Sequence, residues 1–295
     1  MHPSKLTAFE LAPLFPQFRG LVEIGHGGFK TVFKGDVHGV PEVLKVISIP
    51  RTDGSDEQER FRDECFARVR REYSILERCE SPFMVKLSSI PLGEHEIQGD
   101  FYSIYAEEFL DGPDLWKLIR AKSSLPDETE AKLLMRCLLE AVKEIWSMRY
   151  IHRDIKPANV IKLSDADRPF VLIDLGIAFG LLESGLTVQG VPCTARYLAP
   201  EMGNPNFRGN LDYRTDLYTI ALTVFEYSAG QHPIARDSDD PIRTVTRALH
   251  QPAKPLHNLR PDFSQKFCQL IDQLLKKKPA LRPANLASLI SQTKI

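Results

Sequence analysis

Three residues of complementary chemistry stand close together in the stretch Tyr150–Gly176, YIHRDIKPANVIKLSDADRPFVLIDLG. Asp154 can accept a proton from a hydroxyl, Lys156 can neutralise a phosphoryl group in transit, and Asn159 offers a side-chain oxygen to a divalent cation. A second carboxylate, Asp174, follows the apolar run VLI on a turn that Gly176 lets reverse. One base, one cation and two oxygen ligands fit metal-assisted phosphoryl transfer, where positioning and charge neutralisation carry the catalysis. Both carboxylates lie on short polar breaks beside apolar runs, the layout of strands that end at the floor of a site.

The rest of the chain must position these groups. Residues 18–49 alternate apolar and polar side chains like β-strands, FRGLVEIGHGGFKTVFKG and then VPEVLKVISI. The first two strands enclose Gly25, His26, Gly27, Gly28, Phe29, Lys30, Thr31 and Val32. Such glycines let backbone amides approach a phosphate closely, though by itself this is equally an ordinary Gly-rich hairpin. Residues 51–78 place Phe61, Cys65, Val69 and Leu76 at helical spacing, with Glu72 on the same side. A carboxylate facing inward wants a cation, and Lys45 on the preceding strand supplies one. SPFMVKLSSI and FYSIYAEEFLDG read as two more strands, the second running into a Gly-Pro turn. From residue 113 the chain turns helical: PDLWKLIRA is short, and PDETEAKLLMRCLLEAVKEIWSMR repeats apolar residues at 134, 138, 142 and 145 as a core stripe. YRTDLYTIALTVFEYSAG is a further apolar helix, and the lysine run 276–278 reads as a solvated helix end. Residues 1–17 carry three prolines and read either as an extension packing Leu6, Phe9 and Leu14 on the domain or as a loose tail.

With 295 residues, 43% of them hydrophobic, the chain can bury a sizeable core, and a net charge of −1 argues for neither nucleic acid nor a membrane surface as partner. The five cysteines, at 65, 79, 137, 193 and 268, are odd in number and form no C-x-x-C, as expected of reduced thiols. There is no unbroken apolar segment of signal-peptide or membrane-spanning type, so the expected location is cytoplasmic.

HRDIKPAN followed by DLG resembles the catalytic loop HRDxKPxN and the metal-binding DFG of the eukaryotic-type (Hanks-type) protein kinase family, with Leu175 in place of Phe. The resemblance covers residues 18–291 and implies an α+β, bilobal protein kinase fold: a small antiparallel β-sheet lobe with one helix (18–108), a hinge (108–112) and a mostly helical large lobe (113–291), with residues 1–17 as an N-terminal extension. It places ATP in the cleft between lobes, covered by Gly25, Gly27, Gly28 and Val32. Lys45, paired with Glu72, would hold the α- and β-phosphates; Glu108 would begin the hinge, whose backbone holds adenine; Asn159 and Asp174 would hold Mg²⁺, with Mn²⁺ the alternative ion. Lys30 occupies the loop's third glycine position, where a negative φ is expected, and GFKTVFKG is similar to the "with no lysine" subfamily, in which a loop lysine replaces a missing third-strand lysine. This chain keeps both, and Lys45 is the preferred phosphate ligand. Glu107 falls at the back of the nucleotide pocket: either it is paired, or the strand is shifted by one residue and Ala106 lines the pocket.

The same resemblance makes 175–201 the activation-loop equivalent, with Ser184, Thr187 and Thr194 in it, Thr187 and Thr194 being the candidate phosphosites and Arg153 the residue that grips a phosphorylated loop. CTARYLAPE resembles GTxxYxAPE of Ser/Thr kinases, with Cys193 for Gly. Asp216 would hold the catalytic loop's backbone, although it could be only a helix N-cap, a role compatible with the first, and Arg282 would pair with Glu201. The implied activity is transfer of the γ-phosphoryl of Mg-ATP to protein Ser or Thr, including the chain's own loop. The protein substrate is not named by the sequence, and control is expected from an activating partner, a homodimer or loop phosphorylation. Two rival readings are a pseudokinase, and a small-molecule kinase, which usually lacks KPxN and APE.

Overall fold

A computed structural model describes residues 5–27, 29–51, 54–122, 124–175, 195–203 and 212–294. The chain divides into two compact units, Met1–Cys79 with Val85–Asp111, and Glu80–Met84 with Gly112–Ile295. Among the described residues no helix is long and apolar enough to cross a membrane.

The alternating residues of the first unit form five antiparallel strands, β1 (Arg19–His26), β2 (Lys30–Val37), β3 (Val40–Ile49), β4 (Gly93–Ile97) and β5 (Asp100–Glu108), in the order β1-β2-β3-β5-β4. Two-residue turns at His38-Gly39 and Gln98-Gly99 join β2 to β3 and β4 to β5, and all four residues have positive φ, as a tight hairpin following the twist of its strands requires. The register sets Val32 opposite Lys45 and Lys45 opposite Tyr105. One face of the sheet presents Phe33, Leu44, Val46, Tyr102, Ile104 and Ala106, and the segment before β1 closes over it with Leu6, Leu11, Phe15 and Phe18.

That segment is thus a packed strap, but it does not use all the side chains expected. Helix α1 (Ala8–Leu11) starts in a capping box of Thr7 and Glu10, and its single turn points Leu11 inward and leaves Phe9 89% and Leu14 44% exposed. Accordingly, Leu11→Ala is expected to lower the unfolding free energy by about 2–5 kcal/mol, and Phe9→Ala to leave it within about 0.5 kcal/mol, as read from urea unfolding curves.

On the opposite face lies α2 (Asp56–Arg78), which buries Cys65, Phe66, Val69, Glu72, Ile75 and Leu76. Phe66 meets Phe101 edge-on and Tyr73 meets Tyr105 likewise. The fourth strand is GEHEI rather than SPFMVKLSSI. Residues 81–90 form no regular strand: Met84 bridges to Leu172, and around a bridge from Leu87 to Glu107 the segment exchanges three backbone bonds with the end of β5, from the Ser88 N–H to the Ala106 carbonyl, from the Ala106 N–H to the Ile90 carbonyl and from the Glu108 N–H to the Lys86 carbonyl.

The second unit is built on α3 (Leu115–Ala121), α4 (Glu128–Ser147), a β6 (Val160–Lys162)–β7 (Phe170–Leu172) hairpin, α5 (Arg214–Ala229), α6 (Pro241–His250), α7 (Gln265–Leu274) and α8 (Leu286–Gln292). Asp127 caps α4 by accepting from the Glu130 N–H, and the stripe of Leu134, Leu138, Val142 and Ile145 is buried. α5 packs on α4 and is buried all round from Thr215 to Ser228, as an apolar central helix must be. At Gly112 a Cβ would sit 2.0 Å from the Lys162 carbonyl oxygen, so only glycine lets the chain pass the hairpin there. The lysine run departs from expectation: Lys277 packs on Tyr218, donating 3.1 Å to its hydroxyl and 2.5 Å to the Ala248 carbonyl, and burial brings its pKa down to about 8.

Candidate active site

Between α4 and β6 the chain forms a loop whose backbone is tied to the middle of the second unit. Asp216, in the first turn of α5, accepts from the backbone N–H of His152 (2.9 Å) and Arg153 (2.8 Å) and from Trp146 Nε1 (2.8 Å). It is fully buried, and burial raises its pKa against the pull of these donors. It is not a helix N-cap, since that position belongs to Tyr213. The loop it holds contains a left-handed non-glycine residue, Arg153 (φ 71°). His152 is also buried, with its pKa pushed down to about 4 by desolvation, and its Nδ1 accepts from the Asp154 N–H at 3.3 Å, so the ring is a neutral fixture.

Asp154 follows directly. Lys156 Nζ lies 2.7 Å from its Oδ2, and Asn159 Nδ2 donates 3.0 Å to the same oxygen and 2.9 Å to the Asp154 carbonyl. Pro157–Asn159 form one 3-10 turn, which is what folds Asn159 back over Asp154. Both donors converge on Oδ2, and no described residue takes Oδ1. The structure therefore brings Asp154, Lys156 and Asn159 into one constellation. The Ile173 N–H donates 2.8 Å to the Asn159 carbonyl, so the segment ending in Asp174 runs beside Asn159, and Asp174 is itself left-handed at φ 65°. Non-glycine residues at such φ store strain that the surrounding bonds must hold.

A divalent cation suits the donors present. Asn159 directs its amide nitrogen at Asp154, which leaves Oδ1 as a hard oxygen ligand, and Asp174 adds a carboxylate. Among the described residues no three His, Cys, Asp or Glu side chains gather into a metal cage. An ion held by these two must complete its shell with water or phosphate oxygens, the habit of Mg²⁺.

In the first unit, Gly25 lies near the end of β1 opposite Val32 and Gly27 on the turn that follows, its N–H donating 2.7 Å to the Lys30 carbonyl, and neither has positive φ. Lys30 heads β2 opposite Ile47, also without positive φ, and Val32 is half-buried opposite Lys45. Lys45 Nζ reaches Glu72 Oε1 at 3.5 Å, but its nearer partner is Glu107 Oε1 at 2.8 Å. Of the two readings left open for β5, the paired one holds: Ala106 faces the strap on the other side of the sheet. Glu108 accepts from the Lys86 N–H at 2.9 Å, so its carboxylate fixes the strand end. Gly28, Thr187 and Thr194, with Gly176, Ser184 and Cys193, lie outside the described residues.

Two contacts were not anticipated. Tyr105 donates to Glu72 at 3.2 Å and stands 3.1 Å from Lys45 Nζ; its position two residues before Glu107, hence on the same face of β5, is the sequence signal for it. Trp146 reaches Asp216 from the end of the α4 stripe, for which periodicity offered no cue. Arg282 grips Glu201 with two nitrogens, at 2.7 and 2.8 Å, and Thr215 adds a hydroxyl at 2.9 Å.

Comparison with known proteins identifies the family. The chain belongs to the protein kinase domain family, whose model matches residues 18–293. It is 28% identical over 250 residues to the probable serine/threonine-protein kinase PknB of Lactococcus lactis, covering 84% of this chain and 37% of that protein. It is 29% identical over 273 residues to the serine/threonine-protein kinase pkn3 of Myxococcus xanthus (89% and 46%) and 28% over 262 residues to the dual specificity mitogen-activated protein kinase kinase mek-1 of Caenorhabditis elegans (88% and 69%). The chain thus spans less than half the length of the two bacterial relatives. Among solved structures, Rad53 1–466 in complex with AMP-PNP superposes with a TM-score of 0.67 at 24% identity, over 94% of this chain and 65% of that one. The Mycobacterium tuberculosis PknI kinase domain gives 0.62 at 23% identity, over 94% and 95%. At these identities the structural likeness shows the fold alone: a protein kinase fold, α+β, with a five-stranded antiparallel sheet in one unit and helices dominating the other.

Proposed function

We propose that the chain is a protein kinase that transfers the γ-phosphoryl group of Mg-ATP to Ser or Thr hydroxyls of proteins. The observation that carries this reading is the Asp154 carboxylate, fixed through Oδ2 by Lys156 and Asn159 with Oδ1 left for a substrate hydroxyl. Family membership and the serine/threonine-kinase names of the relatives support it.

In the reaction, Asp154 Oδ1 orients the acceptor hydroxyl and takes its proton as the new oxygen–phosphorus bond forms and the bond to the ADP oxygen breaks. Lys156, already beside Asp154, reaches the transferring group and offsets its charge. Lys45 holds the α- and β-phosphates. Asn159 and Asp174 would hold Mg²⁺, which would supply charge neutralisation for the phosphate oxygens. The left-handed backbone at Arg153 and Asp174 sets the directions of these side chains, and Asp216 holds the loop in that shape. Lys156 within KPAN and the segment around Thr194 favour Ser or Thr as acceptor, and autophosphorylation at Thr187 or Thr194 belongs to the same proposal.

The test is transfer of label from γ-labelled ATP in the presence of Mg²⁺ to the chain itself and to a generic Ser/Thr protein, with acid hydrolysis to identify the labelled residue. Label on Ser or Thr is the expected result. Label on a small molecule alone, or none despite ATP binding, would replace the reading by a small-molecule kinase or a pseudokinase. Lys45→Met is expected to lower transfer at least about a hundredfold and Lys30→Met less than about tenfold; the reverse order would move the phosphate contact to Lys30.

A further inference from the structure

Lys45 is held on three sides within the α2 face of the sheet. Its Nζ lies 2.8 Å from Glu107 Oε1, 3.1 Å from the Tyr105 hydroxyl and 3.5 Å from Glu72 Oε1. The side chains of Lys45, Glu72 and Glu107 are 4%, 5% and 5% exposed, so water does little to weaken these contacts. An ammonium carries three donors, and these three acceptors among the described residues are enough to engage them all. The tighter ionic contact is with Glu107 on β5, and not with Glu72 on α2. The two acids also differ in what else holds them. Tyr105 donates to Glu72 at 3.2 Å, whereas Lys45 is the sole partner of the Glu107 carboxylate among the described residues.

On the reading that Lys45 holds the phosphates of the nucleotide, we infer that Glu107 is a positioning residue that competes with those phosphates for Lys45 and so sets nucleotide affinity. A phosphate oxygen can take a donor from Nζ only if one present partner yields. Glu72 stays anchored by Tyr105, so Glu107 yields. Its carboxylate is then left buried without its cation, an unfavourable state against which every phosphate bound at Lys45 must work. The nucleoside part of the ligand makes no such demand. Glu107 therefore weakens phosphate binding selectively, and holds Lys45 back from the phosphate position until a nucleotide arrives.

The test compares ADP and adenosine binding by calorimetry to the full chain carrying no change, Glu107→Gln, Glu107→Met or Lys45→Met. Gln keeps the volume and an acceptor while removing the charge. It is expected to tighten ADP about tenfold, the size of one charge-assisted hydrogen bond no longer opposed, and to leave adenosine within about twofold. A purely structural role would move both ligands together. Unchanged or weaker ADP binding, or equal tightening of adenosine, would overturn the inference. Should the Gln variant fail to fold by thermal melting, Glu107→Met, uncharged and of similar bulk, decides by the same ratio. Lys45→Met separates the two levels of the argument. If it weakens ADP while Glu107→Gln does not tighten it, the role of Glu107 alone falls; if it leaves ADP binding at the wild-type level, Lys45 is not the phosphate ligand and both fall.

Discussion

Asp154→Asn is expected to lower phosphate transfer by about 10²–10⁴-fold while leaving ADP affinity within about threefold. The amide is isosteric with the carboxylate, so the loop around it should persist. Its chemistry cannot. Oδ2 receives Lys156 Nζ at 2.7 Å and Asn159 Nδ2 at 3.0 Å, so the oxygen of an introduced amide must occupy that position to satisfy both donors. The amide NH₂ is then forced into the place of Oδ1, where it presents a donor to the substrate hydroxyl that needs an acceptor. The flipped amide is no better, for it opposes an NH₂ to an ammonium. Single-turnover transfer measured beside ADP binding separates the two quantities. Transfer within tenfold of wild type would remove Asp154 from the base role and the proposed mechanism with it.

This constellation was legible in the sequence because it is local. Asp154, Lys156 and Asn159 fall within six residues, and the 3-10 turn at Pro157 that brings them together is itself signalled by Pro in its first position. The α4 stripe and the β2–β3 hairpin were legible for a related reason: each repeats its period over two or more turns or residue pairs. What the sequence hid is either short or distant. The strap before β1 has one helical turn, too little for a period to tell Leu11 from Phe9. GEHEI, which forms β4, offers a single large apolar residue, so the more apolar SPFMVKLSSI looked the better strand. Glu107 looked unfavourable at a buried position because its cation lies 62 residues away in sequence, and only the β3–β5 pairing brings Lys45 to it. Lys277 looked solvated for the same reason, its acceptors being Tyr218 and the Ala248 carbonyl. Buried charges are the class of residue that sequence patterning reads worst, since their partners follow from topology and not from neighbours.

Asp216→Ala should be the costliest single substitution for the fold of the second unit, lowering the unfolding free energy by about 3–5 kcal/mol. Three N–H groups depend on that carboxylate: the backbones of His152 and Arg153 and the indole of Trp146, at 2.8–2.9 Å. Without it each is a buried donor lacking a partner, in a place no side chain of Ala can reach. The strain adds to this. Arg153 sits at φ 71°, a conformation that costs a non-glycine residue roughly 1–2 kcal/mol and that the bond from its N–H to Asp216 Oδ1 helps to hold. Releasing that bond lets the loop relax, and Asp154 is the next residue along. The variant is therefore expected to lose transfer as well as stability, even at a temperature where it remains folded. Asp216→Asn keeps one oxygen for the two donors on Oδ2 but turns an NH₂ toward the Arg153 N–H, so its stability loss should fall to about 1–3 kcal/mol while transfer still drops. Urea unfolding at constant m-value gives the first quantity, and single-turnover transfer well below the melting temperature gives the second. If Asp216→Ala unfolds within about 1 kcal/mol of wild type, the loop is held by something other than this carboxylate; if Asn restores transfer fully, the bond to Arg153 does not set the position of Asp154.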